Sequence, residues 1–376
     1  MLALLCHIFA YTQELPPILR FTPGAYNAGN QNWMIGQGND RFLYFANNEG
    51  LLEYNGSEWK LYPSPNETII RSVKVVGTRI YTGCYMEFGY WFKKIDGTLH
   101  YHSLSAKLRK RVLDDEQFWN IVQYDRWIIF QSLNQIFIYD TTTSKFNISA
   151  PETGVNRVFI AGNAIYYQTF GSGLYEIENG RSCLVSADKQ LIDHKLVNIY
   201  ALPDRLLLQT HYNGFLQLAG GAVTRWATEA DNELQSTNIY SSQRLSDGGF
   251  ALGTVSNGIY ILSPQGRVRY HITQNKGLSN NTALSLFEDR DQNLWVGLDN
   301  GINCINLKSA VHSFVDDTGF LGTVYASILY DGNLYIGTNQ GLFYKPYQSS
   351  QPFTFVPGTK GDRKSTRLNS SHITIS

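Results

Sequence analysis

The chain has 376 residues, with 31 basic and 31 acidic side chains and no net charge. Charged residues make 16% of it, against roughly 25% in a typical soluble domain, and aromatics make 14%. This composition excludes a disordered chain, and the absence of a basic excess argues against direct contact with nucleic acid.

Taken in chain order, the first feature is an apolar run over residues 2–10. It is too short to span a bilayer as a helix. It fits the core of a signal peptide covering residues 1–13, cleaved between Ala10 and Gln13. No basic residue precedes it, which leaves open a start upstream of Met1; a first β-strand is the alternative. Leu5 ahead of Cys6 is too large for a lipoprotein site.

From Phe42 onward one pattern recurs: an apolar run, a short turn rich in glycine and asparagine, then a second apolar run. Its anchors are Gly50, Gly89, Gln135, Gly173, Gly214, Gly258, Gly301 and Gly341, at intervals of about 40 residues. The clearest copy runs Asp289, Asn293, Leu294, Trp295, Val296, Gly297, then Asn300, Gly301 and Ile302; at Gln135 the glycine is lost. Each element has a physical reading. Asp-Gly or a similar pair ahead of the apolar run is a tight turn. A continuous apolar run of five or six residues suits a buried strand. The following Asn-Gly supplies the positive φ for the next hairpin. A first strand lies upstream, as at residues 283–287, and an outer strand with an aromatic lies downstream, as at Trp59 and Tyr62. Four short antiparallel strands per copy make one blade of an all-β propeller. No stretch has helical periodicity. Cys84, Cys183 and Cys304 are widely spaced and odd in number, so they read as packed strand residues rather than ligands or disulfides.

Residues 362–376 resemble the in-frame translation of a sequencing adapter and are set aside as a non-native tail. The natural protein is therefore expected to continue past Gly361.

The unit at residues 289–302 resembles the regulator propeller repeat of bacterial sensor proteins, especially the large periplasmic sensors of Bacteroidetes. Residues 46–56, with Asn47, Glu49, Gly50 and Tyr54, and the run Glu87, Phe88, Gly89, Tyr90 resemble the opening blades of one subgroup. Its members end in a triple-tyrosine domain, a membrane span and a helix-turn-helix. Hybrid two-component sensors share the propellers and are the alternative. The resemblance covers residues 20–358 and implies a seven-bladed propeller over residues 20–315, with residues 316–361 opening a second; a single eight-bladed propeller is the other possibility. It also implies a periplasmic sensor part of an inner-membrane protein, a homodimer in the full-length protein, membrane attachment only through a later segment, and no cofactor.

A propeller takes ligands at the mouth of its central channel. The segments entering the inner strands carry a polar residue, usually Asn: Arg71, Asn120, Asn156, Asn198, Asn238, Asn281 and Thr323. One account is that each satisfies its own blade's backbone. The other is a binding mouth of Arg71, Trp119, Asn120, Asn156, Arg157, Asn198, Tyr200, Asn238, Tyr240, Asn281 and Tyr325. Amide, guanidinium and aromatic groups suit a glycan. Competing functions are a protein-binding scaffold and a propeller glycosidase. The latter would use Arg71 and Arg157 with Tyr85 and Glu87. His100 and His102 lack a third ligand, so no metal is expected, and the charged residues 107–116 read as a solvated loop. No catalytic motif is present.

Overall fold

The computed structural model describes residues 14–360 except 109, 179, 315–318, 348 and 350. The signal-peptide expectation and the adapter-like tail fall outside the described residues.

The chain divides into two compact units. The larger, Ile18–Lys308, holds seven four-stranded antiparallel sheets, six of them made of strands consecutive in sequence. Their first strands are Asn32–Gln37, Ser72–Val76, Asn120–Tyr124, Val155–Ala161, Leu196–Ala201, Ile239–Arg244 and Ala283–Glu288. Each of these lies beside the first strand of the next sheet, and Ala283–Glu288 lies beside Asn32–Gln37, so they form a closed circle. This is the arrangement of a β-propeller, with the first strands innermost.

The seventh sheet is built from both ends of the unit. Ala283–Glu288, Asn293–Leu298 and Ile302–Asn306 follow in sequence, but the outer strand is Ile18–Phe21, whose Phe21 pairs with Ile302. Phe21 stacks on Trp295 at 5.8 Å and meets Trp59 edge-on at 5.2 Å. The N-terminal strand thus covers an edge that would otherwise be open.

Between sheets the core is aromatic and aliphatic, as the low charge content requires. Phe88, Phe118, Phe130 and Phe137 interlock between the second and third sheets. Phe45, Leu52, Trp295 and Ile302 fill the space between the seventh and the first. The repeat's acidic turn residue has a definite task. Asp289 Oδ1 accepts from the backbone N–H groups of Asp291 and Asn293, both at 2.9 Å, and Oδ2 accepts from Trp295 Nε1 at 2.8 Å. One carboxylate therefore closes the turn and orients the buried Trp. Cys84 and Cys304 are buried, and burial pushes both thiols up to about 12; Cys183 lies on an outer strand and is exposed.

The smaller unit contains one four-stranded sheet, Val324–Tyr330, Asn333–Thr338, Gly341–Pro346 and Thr354–Phe355, over a small core of Leu321, Ile336, Phe343 and Phe353. Glu14–Leu15 pairs with Ser313–Phe314 in the same unit, and Lys345, almost fully buried, forms an ion pair with Glu14 at 2.7 Å. Among the described residues no helix is long and apolar enough to cross a membrane.

Candidate functional site at the channel mouth

The inner strands share one irregularity that decides which side chains reach the channel. In the first sheet the pairing skips from Asn32 to Met34, and matching skips occur at Val155/Arg157, Leu196/Asn198, Ile239/Ser241 and Ala283/Ser285. Each leaves one bulged residue. Aligned through the pairings Ser72↔Gly83 and Asn120↔Gln131, the corresponding residues of the second and third sheets are Arg71 and Trp119. The bulge ring therefore reads Trp33, Arg71, Trp119, Asn156, Val197, Tyr240 and Leu284. All seven line one cavity of about 420 Å³. A bulge re-aims a side chain, and here the same device does so in five of the seven sheets, with Arg71 and Trp119 taking the equivalent place just ahead of the paired strand in the other two.

The residue after each bulge has a different role. Ser72 Oγ donates to Phe118 O at 2.7 Å, Asn120 Nδ2 to Val158 O at 2.8 Å, and Arg157 Nη1 to Val197 O at 3.3 Å. Asn198 Nδ2 donates to Ser242 O at 2.9 Å, Ser241 Oγ to Ala283 O at 3.0 Å, and Ser285 Oγ to Asn32 O at 2.9 Å. In the first sheet the direction reverses, and Met34 Sδ accepts from Val73 N at 3.4 Å. Every inner strand is thereby clasped to its successor around the circle. Where the clasp is Ser, the paired residue of the second strand is Gly83, Gly253 or Gly297. A Cβ on Gly297 would run into Ser285 Oγ and the Asn32 carbonyl. Where the clasp is Asn or Arg, the paired residue is Gln131, Gln168 or Gln209.

The expected single ring of equivalent polar residues is therefore revised. Asn120 and Asn198 belong to the clasps and serve the neighbouring sheet's backbone, and Asn198 Oδ1 also accepts from Ile199 N of its own strand at 2.9 Å. Arg71 and Asn156 belong to the bulge ring. Asn238 and Asn281 precede the strands: Asn238 O accepts from Val255 N at 2.9 Å and Asn281 Oδ1 from Gln274 N at 2.7 Å. Counting from the loops could not register these positions because the bulge inserts a residue. Tyr200 lies deep between the fifth and sixth sheets, 5.2 Å from the Phe250 ring, with its hydroxyl paired to Ser242 Oγ at 2.5 Å. Tyr325 is exposed on the sheet of the smaller unit. The cavity thus gathers Arg71, Trp119, Asn120, Asn156, Arg157 and Tyr240 from the expected set. Trp33, Gln131, Lys195 and His211 also line it, and sequence spacing alone did not single them out.

The guanidinium of Arg71 lies over the rings of both Trp33 and Trp119, 4.1 and 4.6 Å from their centres. Trp33 Nε1 donates to Asn48 Oδ1 at 2.8 Å, and Arg71 Nε to Gln117 Oε1 at 3.3 Å. Two buried polar atoms in the cavity wall have no hydrogen-bond partner among the described residues: Arg71 Nη1 and Gln131 Oε1. Such atoms are costly unless something else satisfies them. Burial lowers the pKa of Arg71 and of Arg157 from the ordinary value. Burial, and then the neighbouring Lys195, hold the His211 imidazole below its ordinary value. Burial raises the Tyr240 phenol, opposed by Arg157 and Arg71.

Other features are better accounted for locally. Glu87 accepts from the hydroxyls of Tyr101 and Ser103 at 2.9 and 2.6 Å and does not line the cavity. The His102 ring packs on Tyr90, and among the described residues no group of three metal-ligating side chains occurs. A concavity of about 760 Å³ opens between the outer strands of the third and fourth sheets. There Tyr124 donates to Asn163 O at 2.7 Å, and Asp140 caps Thr142 and Thr143 and pairs with Arg126. Those polar groups are already engaged, which leaves the channel mouth as the better candidate.

Residues 277–300 match the family model for the two-component regulator propeller. No curated protein sequence matches the chain. Among solved structures, the extracellular domain of a protein described as one component system BT4673 from B. thetaiotaomicron is 19% identical with a TM-score of 0.61, over 94% of this chain and 48% of that one. The extracellular domain described as belonging to hybrid two component system BT3049 of the same organism is 18% identical, TM-score 0.67, over 92% and 50%. A streptogramin B lyase is 13% identical, TM-score 0.62, over 79% and 99%. This chain spans about half the length of the two B. thetaiotaomicron domains. The protein is thus an all-β chain that carries a two-component regulator propeller repeat and is similar in fold to the extracellular domains of these B. thetaiotaomicron systems.

Proposed function

We propose that this chain is the ligand-sensing propeller of a transmembrane signal-transduction or transcription regulator, acting outside the cytoplasm in the periplasm, and that it binds a glycan at the channel mouth. The observation that carries this is the wall of the 420 Å³ cavity, where two Trp rings, a stacked guanidinium and amides converge and Arg71 Nη1 and Gln131 Oε1 lack partners. Indole faces pack on the apolar faces of sugar rings, and unpartnered donors and acceptors suit hydroxyls. The regulator propeller repeat and the likeness to extracellular sensor domains support the same reading.

Within it, residues 20–315 form one propeller and residues 316–361 open a second, and the full-length protein signals as a homodimer. Ligand binding would act by favouring one packing of two. A two-carboxylate glycosidase is disfavoured, because among the described residues no carboxylate lines the cavity.

Calorimetric titration of the purified chain with an oligosaccharide panel tests this. At least one member should bind, with Trp119→Ala weakening it about tenfold or more. If no member of a broad panel binds, the glycan reading is wrong.

A further inference from the structure

A second cavity, about 470 Å³, shares Trp33, Met34, Asn120, Arg157, Val197 and Leu284 with the mouth cavity and continues the channel. Its wall is mostly polar: Gln123, Asn198, Ser241, Ser242, Gln243 and Ser285 contribute, and so does Lys74. Lys74 sits two residues beyond the Ser72 clasp on the inner strand of the second sheet. No hydrogen bond or ion pair to its ammonium occurs among the described residues.

Charge is distributed unevenly in a chain with 31 basic and 31 acidic residues. Around the outside of the ring, Arg41, Lys93, Arg126, Arg205, Arg225 and Arg269 each pair with a carboxylate. In the channel, Arg71, Lys74, Arg157 and Lys195 line the two cavities, and among the described residues no Asp or Glu does. Cations withdrawn from water without counter-charges are expensive. They also repel one another, and low-dielectric walls focus their field along the axis. Desolvation accordingly lowers the pKa of Lys74.

We propose that the channel is an anion-binding site and that its ligand is an acidic saccharide, one carrying carboxylate or sulfate groups, with Lys74 holding an acidic group in the inner cavity while the ring stacks at Trp33 and Trp119. Arg157, which lines both cavities, lies between the two ends. The saccharide part of this rests on the channel-mouth reading above; the charge part does not.

The test compares trigalacturonate, neutral galactotriose, and sodium sulfate alone, each titrated into the purified chain by calorimetry at low and at physiological salt. Trigalacturonate should bind, more weakly as salt rises, and galactotriose should bind at least tenfold more weakly. Lys74→Met should weaken trigalacturonate about tenfold or more, and Lys74→Arg should restore most of it. Lys74 has no described partner to lose, so the Met variant should melt no lower than the parent, which separates a binding defect from a folding one. If galactotriose binds as well as trigalacturonate, or Lys74→Met leaves trigalacturonate unchanged, the anion proposal is overturned while the glycan reading stands. If sulfate binds in a Lys74-dependent way and neither saccharide does, the anion site stands and the acidic saccharide as its ligand falls. If no probe binds at millimolar concentration, the anion proposal falls, and the glycan reading is decided by the broad panel.

Discussion

The seventh sheet of the ring and the sheet of the smaller unit are built to the same plan, yet their inner strands meet different surroundings. Ala283–Glu288 and Val324–Tyr330 each begin with a bulge at the second residue, and each pairs with a strand ending in Gly and an apolar or Thr residue. In the ring, Ala283, Leu284 and Ser285 are all less than 8% exposed; in the smaller unit Val324, Tyr325 and Leu329 are 48, 59 and 53% exposed. The clasp differs too. Ser285 reaches the next strand's carbonyl, whereas the matching residue of the smaller unit is Ala326, opposite Gly337, with no side-chain donor. Local sequence thus suffices to lay down a four-stranded sheet, but burial of its inner strand comes from the sheets on either side.

That contrast can be broken from the outside inward. Deleting residues up to Phe21 should have the largest effect, because it uncovers the Ile302–Asn306 edge and removes a ring stacked on Trp295. We expect a loss of about 4 kcal/mol or more, read as a collapse of the thermal melt. Gly297→Val should come next, at about 3 kcal/mol, since a side chain there displaces both the Ser285 clasp and the approach of Asn32. Asp289→Ala should cost about 2 kcal/mol in chemical denaturation, because it unties the turn and leaves the Trp295 N–H buried without an acceptor. Ser285→Ala should cost about 1 kcal/mol, one clasp of the circle. Removing everything after Lys308 should move the ring's melting transition least; a large drop would mean that the smaller unit is needed to hold the ring, and the contrast would dissolve.

Much of this architecture could be read in the residues. The Asp289 to Gly297 copy announces its turn, its buried strand and its positive-φ exit at Gly301 through residue types that each have one strong local preference. The weaker copies remained visible because Leu207, Leu208, Tyr166 and Tyr167 keep the apolar run. The same copies have Gln where the clearest copy has the strand's Gly, which from the repeat alone is a plain departure from the pattern. It is instead the counterpart of a larger clasp at Asn120, Arg157 or Asn198, a pairing that exists only across two strands.

The site was less legible for the same reason. Arg71, Trp119 and Tyr240 could be suspected from their chemistry, but their common ring shows only through strand pairing: Tyr240 is a residue inserted into its ladder, and Arg71 and Trp119 stand just ahead of the first paired residue of theirs. Trp33 escaped notice because it sits ahead of the first recognisable copy. Lys195 and His211 lie on a loop and after the second strand of the fifth sheet, and only its packing against the fourth brings them to the cavity that Arg157 lines. The role of Ile18–Phe21 was equally hidden, since four residues with two of them exposed carry no strong strand signal.

That terminal strand also has a consequence for how the molecule is made. Phe21 is synthesised ahead of every other strand of the ring, yet its partner Ile302 follows roughly 280 residues later. Each ring sheet but the seventh can form from its own hairpins as it appears, but the last contact of the circle must wait for almost the whole unit. Closure is therefore the step of greatest sequence separation and the slowest expected. Until it happens the Ile302–Asn306 strand presents a bare edge to other nascent copies. A chain of this design gains from delivery at low concentration or under escort until its two ends have met.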